Sequence, residues 1–384
     1  MLSTPERRII GGFERRVSRR SALKGLAAAS LGGFAIGCNR GGAPSGNRIR
    51  VGVVGITCEA PIYTAMEKGF FKEEGLEPEL VRCDWKNYKD ALMLGGYDIT
   101  HHLVMYFLKP IEQGFDVVFT GGIHRGCLRV QSRLNGPIKT VKDLKGKRIA
   151  VPGMGTPPFI FANRVLGANG IDPARDVSWI VYPNAELALA LDKGEADAIA
   201  NSEPIGSLLL HNKKVMNIAD QAKDHPYAEE YCCAVVVSGR YLKANRRNTI
   251  AATRALLKAA KWVEANPKAA AQLSVEGKHL ASSVDQNTFA ISHLRYNPSV
   301  TGAQKAVVSA AAEMKVAGML RKSTDVSELA GKAFVQLEGV TDEWIDSLQV
   351  EQVAGAQVTP RWLKRQYAKY DPSDPFCDIC INPI

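Results

Sequence analysis

Several familiar patterns are missing from the 384 residues. Only one apolar run approaches membrane length, and it lies at the N-terminus, so a multi-span membrane protein is excluded. The 34 glycines keep no three-residue period, which excludes a collagen-like rod. There is no internal repeat and no long low-complexity segment beyond the N-terminal region. No stripe of lysine and arginine with interleaved aromatics runs through the chain, so nucleic acid is not an expected partner. The short signatures of common catalysis are also absent: no Ser-His-Asp order, no Walker loop, no H-E-x-x-H. What remains is ordinary globular composition, 46% hydrophobic and 23% charged. A chain of this length is expected to fold as about two or three lobes.

The net charge of +10 is unevenly placed. Residues 1–38 hold Arg7, Arg8, Arg15, Arg16, Arg19, Arg20 and Lys24 against only Glu6 and Glu14, leaving 42 basic and 37 acidic residues elsewhere. Basic residues, then the apolar run Gly25 to Gly37, then Cys38, have the anatomy of a signal peptide. Arg19-Arg20 with Leu23 and Lys24 resemble the twin-arginine export motif, with Ala22 where Phe is usual. Ala35-Ile-Gly-Cys38 resembles a lipoprotein cleavage box, so Cys38 is the expected acylation site. Residues 39–48 lack apolar periodicity and read as a tether.

From residue 49 strands and helices alternate. Ile49 to Ile56 is a β-branched run, and Ala60 to Glu74 has helical spacing closed by Gly75. Further strands are expected at residues 76–83, 97–100 and 116–120, with helices at 88–95 and 103–113. A second series begins near Gly136, with strands ending at Val151, Tyr182 and Ala200. Tyr231 to Ser238 reads as a strand returning to the first lobe, and the chain beyond Arg240 as nearly all helix. Repeated βα units imply an α/β fold with mainly parallel sheets flanked by helices.

Four stretches resemble the periplasmic substrate-binding proteins of nitrate, sulfonate and taurine ABC importers, in a superfamily that includes thiamine-precursor binders. They are Pro61 to Leu76, Gly96-Tyr-Asp-Ile-Thr100, Thr140 to Val151 with Gly153 and Gly155, and Ala190 to Ile199. The resemblance implies the two-lobed periplasmic binding protein fold with crossing hinge strands. Lobe one is then residues 49–130 and 235–345, lobe two 131–234, and the C-terminal tail 346–384. It also implies a non-catalytic component that captures a small molecule (a sulfonate, nitrate, taurine or a pyrimidine-like compound) between the lobes. The implied partners are an ABC permease and its ATPase, with the membrane reached through the lipid anchor. The expected place is the periplasm or the outer face of the cytoplasmic membrane. No cofactor is expected, and the chain reads as a monomer.

Ligands in open α/β sheets bind outside the carboxyl ends of strands. That rule selects Cys58, Glu59 and Ala60 after the first strand, His101 and His102 after the third, and Thr156-Pro157 and Glu203 in lobe two. His124, just after a crossing strand, joins them, and Arg125 beside it is readable as charge for an acidic ligand or as solvated loop. Thr156 is readable as an N-cap or a ligand contact. Cys58, Glu59 and His102 have, alternatively, the chemistry of a soft or borderline metal site, which would suit a metal-carrying or enzymatic protein on the same fold. Cys377 and Cys380 form a lone C-x-x-C that reads equally as a disulfide, a tail clamp or half a metal site.

Overall fold

The computed structural model describes residues 46–84, 87–211, 215–280 and 283–358. The expected export signal, Cys38, most of the tether, and Cys377 and Cys380 lie outside them.

The first series is β1 (Arg48–Val53), α1 (Ala60–Glu67), α2 (Phe70–Glu73), β2 (Glu77–Arg82), α3 (Tyr88–Leu94), β3 (Ile99–Leu103), α4 (Val104–Glu112) and β4 (Val117–His124). The second is β5 (Leu128–Arg133), β6 (Arg148–Val151), α5 (Pro157–Ala168), β7 (Ser178–Val181), α6 (Leu187–Asp192), β8 (Ala198–Ser202), α7 (Ile205–His211) and β9 (Val215–Asp220). β10 (Cys233–Ser238) follows. Then come α8 (Gly239–Ala244), α9 (Arg246–Ala265), α10 (Pro267–Glu276), α11 (Val284–His293), α12 (Val300–Val316), α13 (Val326–Ala333) and α14 (Asp342–Ser347).

The strands form two five-stranded sheets, ordered β2-β1-β3-β10-β4 and β7-β6-β8-β5-β9. β10 runs antiparallel to β3 and β4, and β5 antiparallel to β8 and β9. The sheets are therefore mixed, and the antiparallel member of each is the strand that has just crossed from the other lobe. A strand entering from the cleft must run against strands that end there. This brings the start of β10, the start of β5 and the ends of β1, β3, β4, β6 and β8 to one cleft.

Each lobe opens with the same clamp. Asp98 accepts from the Arg50 backbone N–H at 2.9 Å and from its guanidinium at 2.7 Å, while Arg50 donates to the Gly95 carbonyl at 2.7 Å. In lobe two Asp197 holds Arg148 at 2.9 Å, and Arg148 reaches Gly194 O at 2.7 Å. The recurring Gly-x-x-Asp pattern thus ties β1 to β3 in one sheet and β6 to β8 in the other. Val235, Val236 and Val237 of β10 are wholly buried. Burial of each contributes roughly 1.5–3 kcal/mol.

Several local expectations change. The helix expected over residues 60–74 is two helices, because Gly69 adopts φ +75° between them. His101 and His102 are not on a loop: both lie inside β3, where pairing with β10 extends the strand through Leu103. His124 is the last residue of β4 rather than a residue beyond it. β5, β9 and α8 are additions; β9 carries no clean alternation and is held by pairing with β5.

Candidate functional site

A cavity of about 170 Å³ lies between the lobes. It is lined by Ile56, Cys58 and Leu103 from lobe one, by Cys127 on the crossing segment, and by Pro152, Thr156, Pro157, Pro158, Asn184, Ser202 and Glu203 from lobe two. The volume is below the roughly 300 Å³ at which pockets for drug-sized ligands begin. The lining is mostly apolar and, among the described residues, holds no lysine or arginine.

Of the residues selected from the sequence, Cys58, Thr156, Pro157 and Glu203 reach this cavity. The others do not line it. Glu59 is spent on its own loop: its carboxylate accepts from the N–H groups of Val54 and Gly55 at 2.9 Å and Ile56 at 3.1 Å, and from the Tyr63 hydroxyl at 2.7 Å. Burial pushes its pKa up, against those four hydrogen bonds. Ala60 is fully buried at the start of α1. His102 faces away, its ring packed 4.8 Å from Tyr88 and 4.9 Å from Tyr106. Residues directly opposite across a strand pair point to the same face, and neighbours alternate. His101 pairs with Val235, and Leu103 and His124 both pair with Cys233, so His101 and His124 share the other face. Their rings meet edge to face at 5.1 Å. Cys58, Glu59 and His102 therefore do not converge as a metal site.

Thr156 occupies the N-cap position of α5 but caps no helix N–H; its hydroxyl donates to the Gly153 carbonyl at 2.6 Å. Glu203 accepts from the Ser207 hydroxyl at 2.6 Å and the Ser207 N–H at 3.2 Å, and is in close contact with the buried guanidinium of Arg129. Arg129 also reaches Asp220 at 3.3 Å. Burial raises the Glu203 pKa, and Arg129 opposes that shift. Arg125 lies with its guanidinium 5.3 Å from the Tyr231 ring.

The helix ends at the cleft are poor in donors. Open N–H groups at helix N-termini are the usual seat for an anion. α5 begins with Pro157 and Pro158, which have no N–H. α7 follows Pro204 and has its Ser207 N–H taken by Glu203. α1 has Pro61 in its first turn and the Glu59 carboxylate just ahead of it. The first N–H of α4, on Val104, is given to the Cys232 carbonyl at 2.8 Å.

Sequence reasoning missed Cys127, Cys232 and Cys233 as site residues. All three are free thiols at the cleft, as is Cys58. Hydrogen bonds from Cys232, Cys233 and Cys58 pull the Cys127 pKa well below the ordinary thiol value, while burial pushes those of Cys232 and Cys233 up. Their signal in the sequence was position: each flanks a strand that crosses between the lobes.

Two α/β lobes joined by crossing strands enclose a small cavity, the architecture of the two-lobed periplasmic binding protein fold. The chain belongs to the NMT1/THI5 like family, whose model matches residues 57–270. It is 25% identical over 282 residues to the nitrate/nitrite binding protein NrtA of Synechococcus elongatus, covering 65% of this chain and 62% of that protein. It is 28% identical to the putative binding protein YtlA of Bacillus subtilis over 53% of this chain and, again, 62% of the relative. The chain thus spans less than two thirds of either relative. The fold is similar to the crystal structure of the periplasmic nitrate-binding protein NrtA from Synechocystis, with a TM-score of 0.61 and 16% identity, covering 80% of this chain and all of that one (100%).

Proposed function

We propose that the protein is the substrate-binding component of an ABC importer, and that it captures a small uncharged molecule between its lobes. The relatives' binding roles and the two-lobed fold support the class. The ligand chemistry rests on one observation: the helix N-termini at the cavity present prolines or already-bound carboxylates instead of free N–H groups. An oxyanion such as nitrate or a sulfonate would find no cation and few donors there. A pyrimidine-like ligand suits apolar walls with Thr156, Asn184 and Ser202 as polar contacts. The Glu203 carboxylate is held by Arg129 and Ser207 rather than offered to the cavity.

A thermal-shift series tests this reading. Neutral pyrimidines at 100 times their Kd should stabilise the protein by about 2.7 kcal/mol. Nitrate, taurine and alkanesulfonates should leave the melting temperature in place. A shift with nitrate or a sulfonate and none with any pyrimidine overturns the ligand assignment.

We propose the periplasmic side of the cytoplasmic membrane as its site of action, reached by twin-arginine export and held there by acylated Cys38 as a monomer. Replacing Arg19 and Arg20 by Lys should leave precursor in the cytoplasm. Cys38→Ser should move the mature protein to the soluble periplasmic fraction. Membrane retention of that variant removes the lipid anchor from the proposal.

A further inference from the structure

Where the crossing strands meet lobe one, four buried cysteines and two buried histidines gather. One side-chain donor atom from each of His124, Cys127, Cys232 and Cys233 lies within 4.8 Å of the others. Cys58 lines the same cavity as Cys127. Each of these cysteines is a free thiol, at most 3% exposed. The six residues come from five places in the sequence: the loop after β1, β3, the end of β4, the first crossing segment and the start of β10.

The backbone is shaped to bring them together. Gly126, just before Cys127, has φ +85°, and a Cβ there would lie 2.8 Å from Ala222. The Cys127 backbone is fastened on both sides, its N–H to Gln221 at 3.2 Å and its carbonyl to the Glu203 N–H at 3.0 Å. β4 carries a bulge opposite Cys233 and Ala234. Such a bulge re-aims the side chains beside it.

The histidines supply a second, independent observation. His101 is 1% exposed and neither of its ring nitrogens has a partner; His124 is 0% exposed and its Nε2 has none. A buried polar group without a partner costs about 1–3 kcal/mol. Aliphatic side chains would fill the same space without that cost, so packing alone does not explain the cluster.

We propose that His124, Cys127, Cys232 and Cys233 hold one thiophilic d10 metal ion, Zn(II) or Cu(I), at the floor of the cavity. Tetrahedral thiolate sites have metal–sulfur bonds of about 2.3 Å, which sets neighbouring ligand atoms about 3.8 Å apart. The cluster needs to contract by about 1 Å at most to reach that spacing, and it leaves room for a single ion. Soft sulfur donors with imidazole select Zn(II) and Cu(I) over hard cations. Each coordinating thiol that ionises releases one proton; two thiolates neutralise Zn(II), and one neutralises Cu(I). Cys58 and Cys127 also line the cavity, so the ion lies directly behind its wall. The proposal does not depend on which small molecule fills the cavity.

The test uses the full chain purified without chelator, followed by elemental analysis. The stripped chain is then titrated anaerobically with Co(II) and with Cu(I), reading thiolate-to-metal absorption. One equivalent per chain is expected, and which of zinc and copper is retained identifies the ion. Cys127→Ser and Cys232→Ser should weaken binding ~100-fold while the circular dichroism spectrum is kept. If either variant fails to fold, Cys233→Ser and His124→Gln provide the same reading. A Cys377→Ser/Cys380→Ser double variant should bind as the parent does. Three results overturn the proposal: no metal bound by the folded, reduced chain; binding that follows Cys377 and Cys380 instead; or a disulfide among Cys58, Cys127, Cys232 and Cys233 in protein purified without reductant.

Discussion

Glu59 shows how a carboxylate at the right address can be committed elsewhere. Its four hydrogen bonds turn the loop after β1 inward and set Cys58 at the cavity wall. Glu59→Gln replaces one acceptor oxygen by an NH₂ group facing backbone donors. It should cost about 1–3 kcal/mol in urea unfolding, and the change should spread to the cavity through Cys58. His102 makes a different prediction. Burial lowers its pKa to about 3, below the ordinary value of about 6.5. The folded state then excludes a proton that the unfolded chain accepts. Its contribution is fully present above about pH 6.5 and is lost as pH falls toward the folded value, reaching about 1.4 kcal/mol at pH 5.5. His102→Phe, among Tyr88, Tyr106 and Phe107, should reduce the fall in urea midpoint between pH 7.5 and 5.5. An unchanged fall would mean that His102 is not the group responsible. The sequence could mark both residues as polar and near a strand end. It could not show that Glu59 faces its own loop, since that depends on the turn the loop takes, or that His102 faces an aromatic core, since that is set by the pairing of β3 with β10.

At the scale of elements, the strand-helix alternation was legible because β-branched runs and glycine stops are local signals. The Gly-x-x-Asp stretches were legible too, but not their use as matched arginine clamps, because Arg50 and Arg148 lie 48 and 49 residues before their aspartates. β9 was hidden for the same reason: it is a strand because β5 lies beside it. The start of α5 is the most informative element end for function. Pro157 and Pro158 remove two donors that an oxyanion would need. Pro158→Ala restores one N–H at the cavity at little cost, since proline's advantage is confined to the first turn. The variant should gain measurable affinity for nitrate or a sulfonate by calorimetry, while the affinity for a neutral ligand changes less than tenfold, about 1.4 kcal/mol. A variant with no gain for any anion would show that α5 does not govern ligand charge.

The whole molecule is two lobes whose relative position is held in part by Arg164. It projects from α5 in lobe two, fully buried, and pairs with Glu230 at 2.7 Å on the chain returning to β10 and with Glu313 of α12 at 3.0 Å. Its guanidinium also lies 5.4 Å from the Tyr227 ring. Glu230 is further engaged by the Ser309 hydroxyl of α12. If the chain captures a ligand as proposed, the lobes are expected to close by hinge motion about the crossing segments. A buried ion pair contributes little net stability, but removing one partner leaves a charge uncompensated. The pair therefore acts as a latch between α5 and α12 more than as a source of stability. Glu313→Ala keeps the Arg164–Glu230 contact, so the chain should remain folded, with a loss of about 1–3 kcal/mol. Because the direct Arg164–Glu313 arm of the latch is gone and only the Glu230–Ser309 contact remains between α12 and this cluster, the radius of gyration by small-angle X-ray scattering should rise in the ligand-free protein. Saturating ligand should bring it back to the parent value, with affinity reduced because binding must now supply the closure. A ligand-free scattering curve identical to the parent's would show that Arg164 stabilises α5 alone and does not set the opening of the lobes.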